Sequence, residues 1–171
     1  MTSQHLIAST SYFVPGERHA LAFADPPVSL PALGGGPTGL LFDADHQFEI
    51  VEIESRLWRN LWRVSTRMYQ YRLLDHDERE LLVYHWQPGD AFQGPDHPHV
   101  HVSAALRART SATDERSIDL DRLHLATGRV SFEAVVRMLI SEFDIAPQRP
   151  DWHAILTRTE AVFRSDALQR V

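Results

Sequence analysis

The sequence predicts an α+β domain, an antiparallel meander of about four or five strands backed by two C-terminal α-helices. Three observations predict it. Between Leu40 and Leu106, short apolar runs of period two alternate with polar, turn-forming clusters. Beyond Ser131 the apolar spacing lengthens twice to that of a helix. The 171 residues, 43% hydrophobic and 23% charged, have the composition and length of one globular domain.

Residues 1–38 hold Pro15, Pro26, Pro27, Pro31 and Pro37, with a Gly34-Gly35-Gly36 run. Proline fixes φ and removes a donor, and glycine adds freedom, so this stretch reads as an irregular arm. Phe13, Phe23 and Leu30 leave a docking role open. Residues 39–171 then form the single α+β domain.

Within it, Phe48 and Ile50 alternate with Glu49 and Val51, the pattern of a strand. Trp58 to Leu74 is rich in aromatic and β-branched residues and stops at Asp75-His76-Asp77-Glu78, a turn. Glu80 to Trp86 is the next strand, broken by Gln87-Pro88-Gly89-Asp90, and a strand opening at His97 follows. Thr110 to Arg116 reads as an exposed loop. Ser131 is a good N-cap for a helix burying Phe132, Val135, Val136, Leu139, Ile140 and Phe143, which ends at Ala146-Pro147. Pro150 and Asp151 open a second helix, with Trp152, Ile155, Leu156, Thr159, Val162 and Phe163 as its buried stripe.

The chain has no cysteine, which excludes disulfides, thiolate ligands and a cysteine nucleophile. No apolar run reaches the roughly 18 to 20 residues of a membrane helix, and the N-terminus lacks a signal-peptide pattern. The expected location is cytoplasmic, with no membrane partner. A net charge of −6 argues against broad nucleic-acid binding. Yet Ser55 to Leu74 carries Arg56, Arg59, Arg63, Arg67 and Arg72 without an acidic residue. As a strand, it places Arg59, Arg63 and Arg67 on one face with Tyr69 and Tyr71. Guanidinium forks clamp phosphate and aromatic rings stack bases, so this is a candidate RNA or nucleotide surface. As a helix, the same arginines form a solvated face, and the neighbouring acids can pair with them.

The densest chemistry lies in Asp96-His97-Pro98-His99-Val100-His101-Val102. Strand alternation puts His97, His99 and His101 on one face. Such a row can grip a metal, move protons or attack phosphorus, or stand idle on a solvent face. For a transition metal, His99 and His101 are the first two ligands, with the third drawn from His97, Asp96, His85 or His124. For proton transfer, His85 on the preceding strand faces the row. Neutral imidazoles there act as base and acid near pH 7, and an arginine stabilises developing charge.

Two resemblances bear on the same residues. The His97-Pro98-His99-Val100-His101-Val102 run resembles the signature of the histidine triad nucleotide hydrolases, although Pro98 stands where that family has a bulky apolar residue. That likeness implies His99 as nucleophile, with His97 and His101 orienting it and serving the leaving group. More broadly, Tyr69-Gln70-Tyr71, the Asp75 to Glu80 turn, Tyr84, the loop to Asp96 and the histidine row are similar, in order, to small bacterial toxins of the TumE type. Here Tyr84-His85-Trp86-Gln87 replaces that family's Arg-Tyr-Asp-Asn-like run.

The resemblance implies a toxin-like intracellular protein with an antitoxin-like partner. It would act on RNA or a nucleotide phosphodiester as a metal-independent ribonuclease or a histidine-triad-like hydrolase, through His99, His101, His97 and His85, without a cofactor. The reading from another class is a non-catalytic interaction or metal-binding module whose histidine row is structural.

Overall fold

The computed structural model describes residues 5–9, 14–53, 61–89, 94–103 and 124–168. Eight strands precede two helices: β1 (Leu6–Ala8), β2 (Arg18–Phe23), β3 (Val28–Pro31), β4 (Pro37–Ile53), β5 (Leu61–Leu74), β6 (Glu80–Trp86), β7 (His99–Val102), β8 (Leu125–Ala126), α1 (Phe132–Glu142) and α2 (Trp152–Leu168). They form one antiparallel sheet in the order β1-β2-β4-β5-β6-β7-β8, with β3 paired beside β4. The expected α+β class and C-terminal helices are what the chain adopts.

Its central hairpin pairs β4 with β5 from Leu41↔Leu74 to Ile53↔Leu61. The next turn is locked by the Asp75 carboxylate, which accepts the Asp77 and Arg79 amides at 2.9 Å each. Alternation then sorts the side chains. Phe42 and Ala44 of β4, Tyr69, Tyr71 and Leu73 of β5, and Trp86 of β6 share one face and join the core under Val135 and Leu139 of α1. The opposite face receives Asp43 and Asp45, Gln70 and Arg72, Val83 and His85.

The irregular arm expected for residues 1–38 is a correction, since it carries β1, β2, β3 and the start of β4. Its prolines and glycines mark strand ends rather than absence of structure. Pro31 pairs with Pro37 across a turn in which Gly35 and Gly36 take φ of 82° and 89°, where a β-carbon would strain the backbone. Phe23, Val28 and Leu30 enter the core, and the Ala146 amide donates to the Pro31 carbonyl at 2.9 Å, tying this hairpin to the α1–α2 connection.

Ser131 caps α1 as expected, its Oγ accepting the Ala134 amide at 3.0 Å. Val135, Val136, Leu139 and Ile140 are buried, but the helix stops at Glu142, before the expected Ala146-Pro147. There Asp144 takes a left-handed φ of 54°. The stripe predicted for α2 is corrected too, because Thr159 and Val162 face solvent. The buried position between them is Glu160, whose carboxylate accepts from Ser131 Oγ, Arg137 at 2.8 Å and Arg164 at 2.9 Å. An ionic node rather than an apolar seam therefore ties the C-terminal half of α2 to α1. Neither helix is long and apolar enough to cross a membrane.

Candidate metal centre

β6, β7 and β8 bring histidines together through register alone. β6 pairs with β7 as His85↔His99 and Val83↔His101. β7 pairs with β8 as His99↔Ala126 and Val100↔Leu125, and one further step of that register sets His124 across from His101. Tyr84, Trp86 and Val100 turn toward the helices, so His85, His99 and His101 share the opposite face. The ring centroids stand 5.3 Å apart for His85 and His99, and 4.9 Å for His99 and His101. His124 lies 5.2 Å from His99 and 4.5 Å from His101. One ring nitrogen from each of His85, His99 and His101 lies within 4.8 Å of the other two.

His99 is the centre of this group and is fully buried, at 0% exposure. Its Nδ1 lies 2.8 Å from the His97 carbonyl oxygen, which can only accept, so Nδ1 carries the proton and donates it. Nε2 is then left with its lone pair, buried and without a hydrogen-bond partner. A buried polar atom left unpaired costs on the order of 1–3 kcal/mol. An ion at that atom would remove the cost. A backbone carbonyl holding one ring nitrogen while the other ligates is the usual support of a metal-bound histidine.

The neighbours are tuned in the same direction. Burial lowers the pKa of His85, with the His99 ring adding to the effect. Burial likewise lowers that of His101, assisted by His124, His99 and His85. Crowded imidazoles resist taking up protons, which keeps their lone pairs free for a metal at neutral pH. A tetrahedral ion with nitrogens at roughly 2.0–2.1 Å separates them by about 3.4 Å, so a modest contraction of the trio suffices.

Of the site residues expected from sequence, His85, His99 and His101 converge. His97 does not complete the row: β7 begins only at His99, because Pro98 has no amide to give the ladder. His97 is exposed, its ring 6.0 Å from that of His99, and its contribution is the carbonyl that orients His99.

The aromatic-basic surface is not assembled. Tyr69 and Tyr71 are 0% and 1% exposed and stack on each other at 5.0 Å in the core. The Tyr69 hydroxyl accepts the Val130 amide at 3.1 Å, and the Tyr71 hydroxyl lies 2.8 Å from His46 Nδ1. A bulge at Arg67 reverses the alternation of β5, since Gln47 pairs with Met68 but Phe48 with Thr66. Arg63 and Arg67 thereby fall on the face opposite the two tyrosines. Arg67 is paired with Glu49 at 2.7 Å, and Arg72 with Asp43. Arg59 lies outside the described residues.

His124 is the group that pattern reading only offered among several ligands, although Leu123-His124-Leu125-Ala126 shows the alternation of a short strand. A second cluster of possible ligands, Asp75, His76 and Asp77, is exposed or half-buried, and its Asp75 carboxylate is occupied by the backbone of the β5–β6 turn. No family model, curated protein or solved structure matches the chain.

Proposed function

We propose that the chain is a transition-metal-binding protein, holding a zinc-class ion on His85, His99 and His101. The observation that carries this reading is His99: buried, its Nδ1–H fixed on the His97 carbonyl, its Nε2 unpartnered and beside two further imidazoles. All-nitrogen donors favour zinc, nickel, cobalt or copper over magnesium or calcium, which prefer oxygen. The expected nucleophilic role of His99 toward a phosphodiester would need that buried nitrogen brought to a bulky substrate, whereas an ion needs only space between rings. Three imidazole ligands leave a tetrahedral ion one further position, on the side where His101 is half-buried. A water held there would be acidified by the ion, which is how such a centre would serve hydrolysis.

Metal-stripped full chain titrated with Zn²⁺ or Co²⁺ is expected to take up about one ion per chain. His99→Ala should weaken this by more than about 100-fold, beyond the 10–100-fold typical of losing a residue that only orients a ligand. Circular dichroism would confirm that the variant folds. A wild type that takes up neither ion, or a folded His99→Ala that binds equally well, would overturn the reading.

A further inference from the structure

We propose that His124 is the fourth ligand of this centre, delivered by β8 to the position that His85, His99 and His101 leave open. The inference rests on the three-histidine reading and goes beyond it by making the resting centre a closed, four-nitrogen one. His124 follows from register, standing across from His101 on the face that carries the trio, with its ring 4.5 Å from His101 and 5.2 Å from His99. His97, the other exposed candidate, is farther from His99, at 6.0 Å, and precedes the strand.

The chain on the C-terminal side of His124 is fixed to the core at successive points. The Thr127 amide donates to the Pro98 carbonyl at 2.8 Å. The Arg129 guanidinium lies 3.9 Å from the centre of the Trp86 ring, and the Val130 amide donates to the Tyr69 hydroxyl at 3.1 Å. Each anchor is on β5, β6 or the entry to β7, the elements beside or bearing the trio. β8 itself is only two residues long, and its Leu125 is 46% exposed, so burial of its own side chains does not explain why it docks there. The anchors at Thr127, Arg129 and Val130 hold it instead, and they leave the His124 imidazole at the rim of the site. The His124 side chain is itself exposed, so a rotamer change can carry its ring nitrogen the last distance to an ion.

Cobalt separates the possibilities because its visible spectrum reports coordination. Co²⁺ is added to full-length wild type, His124→Ala and His99→Ala, and each is then challenged with azide and with free imidazole. Wild type should bind tightly, with a tetrahedral spectrum that azide does not change. His124→Ala should still bind, 10–100-fold more weakly, with a spectrum that azide shifts and that imidazole returns toward wild type. His124→Gln provides a second variant should the alanine change loosen β8. An unchanged affinity and spectrum in both His124 variants, with azide acting equally on wild type, would overturn the fourth ligand while leaving the trio intact. Failure of wild type to bind cobalt would instead remove the trio and the fourth ligand together.

Discussion

His46 and His99, on opposite faces of the sheet, are held under opposite terms. On the helix face, His46 has both ring nitrogens engaged, Nδ1 with the Tyr71 hydroxyl at 2.8 Å and Nε2 with the Thr66 hydroxyl at 3.1 Å. Burial pushes its pKa down to about 4, so it remains a neutral bridge between β4 and β5. On the other face, His99 has one nitrogen engaged and the other left unpartnered among imidazoles. The residue type is the same, and His46 is half-buried where His99 is fully buried, so residue type alone does not separate the two roles. What distinguishes them is whether the fold supplies a partner for the second nitrogen. The satisfied imidazole of His46 serves as architecture; the unmet, oriented nitrogen of His99 is the one on which the proposed metal site rests.

The strongest way to sharpen that contrast is through pH. His46 titrates near 6.5 when unfolded but near 4 in the fold, so the unfolded state binds its proton first as the solution is acidified. Its stabilisation is therefore complete above about pH 6.5 and drains away as pH falls toward 4, by on the order of 3 kcal/mol. His46→Asn should flatten the stability–pH curve over that window, relative to wild type, when urea unfolding is followed at several pH values. Cobalt affinity at neutral pH should not change. An identical pH slope in the two proteins would show that His46 is not the neutral, satisfied group described above.

Most of this arrangement was legible in the sequence where a period was uninterrupted. The β6 run from Glu80 to Trp86 and the α1 run from Phe132 to Ile140 announce both their type and their buried side. His99, His101 and His85 could be placed on one face because alternation and antiparallel pairing leave few other outcomes. Reading failed where a local event resets the pattern. The bulge at Arg67 moved Arg63 and Arg67 to the face opposite Tyr69 and Tyr71, and no composition signal marks it. Proline and glycine between residues 15 and 37 suggest an irregular arm, whereas in the fold they delimit short strands. His124 stands in the sequence only as one of four candidates for a third ligand, because its place depends on the pairing of β7, which ends at Val102, with β8, which begins at Leu125, and periodicity carries no information about such long-range partners.

A smaller perturbation tests whether the two faces are independent. Ser131 caps α1 and also donates its hydroxyl to Glu160, so it belongs wholly to the helix face. Ser131→Ala should cost about 1 kcal/mol of unfolding free energy, the usual value of a lost N-cap. Cobalt affinity should remain that of wild type, because α1 touches the side of the sheet turned away from His99. A matched loss of metal binding would mean that the helix layer sets the geometry of the histidines, and the faces would have to be treated as one unit.

The smallest effect is expected at Arg67, and it bears on what the histidine face is for. Its guanidinium is paired with Glu49 at 2.7 Å, and its side chain is 38% exposed, conditions under which an ion pair contributes little, about 0–1 kcal/mol. Arg67→Gln should therefore barely move the urea midpoint. It should also leave binding to a short single-stranded RNA unchanged, since a guanidinium neutralised by a carboxylate offers little net charge to phosphate. A clear, salt-dependent loss of RNA affinity in this variant would restore the arginine-bearing strand as a nucleic-acid surface. It would also place a phosphodiester on the sheet face that carries His85, His99 and His101, and would count against the closed, binding-only centre proposed above.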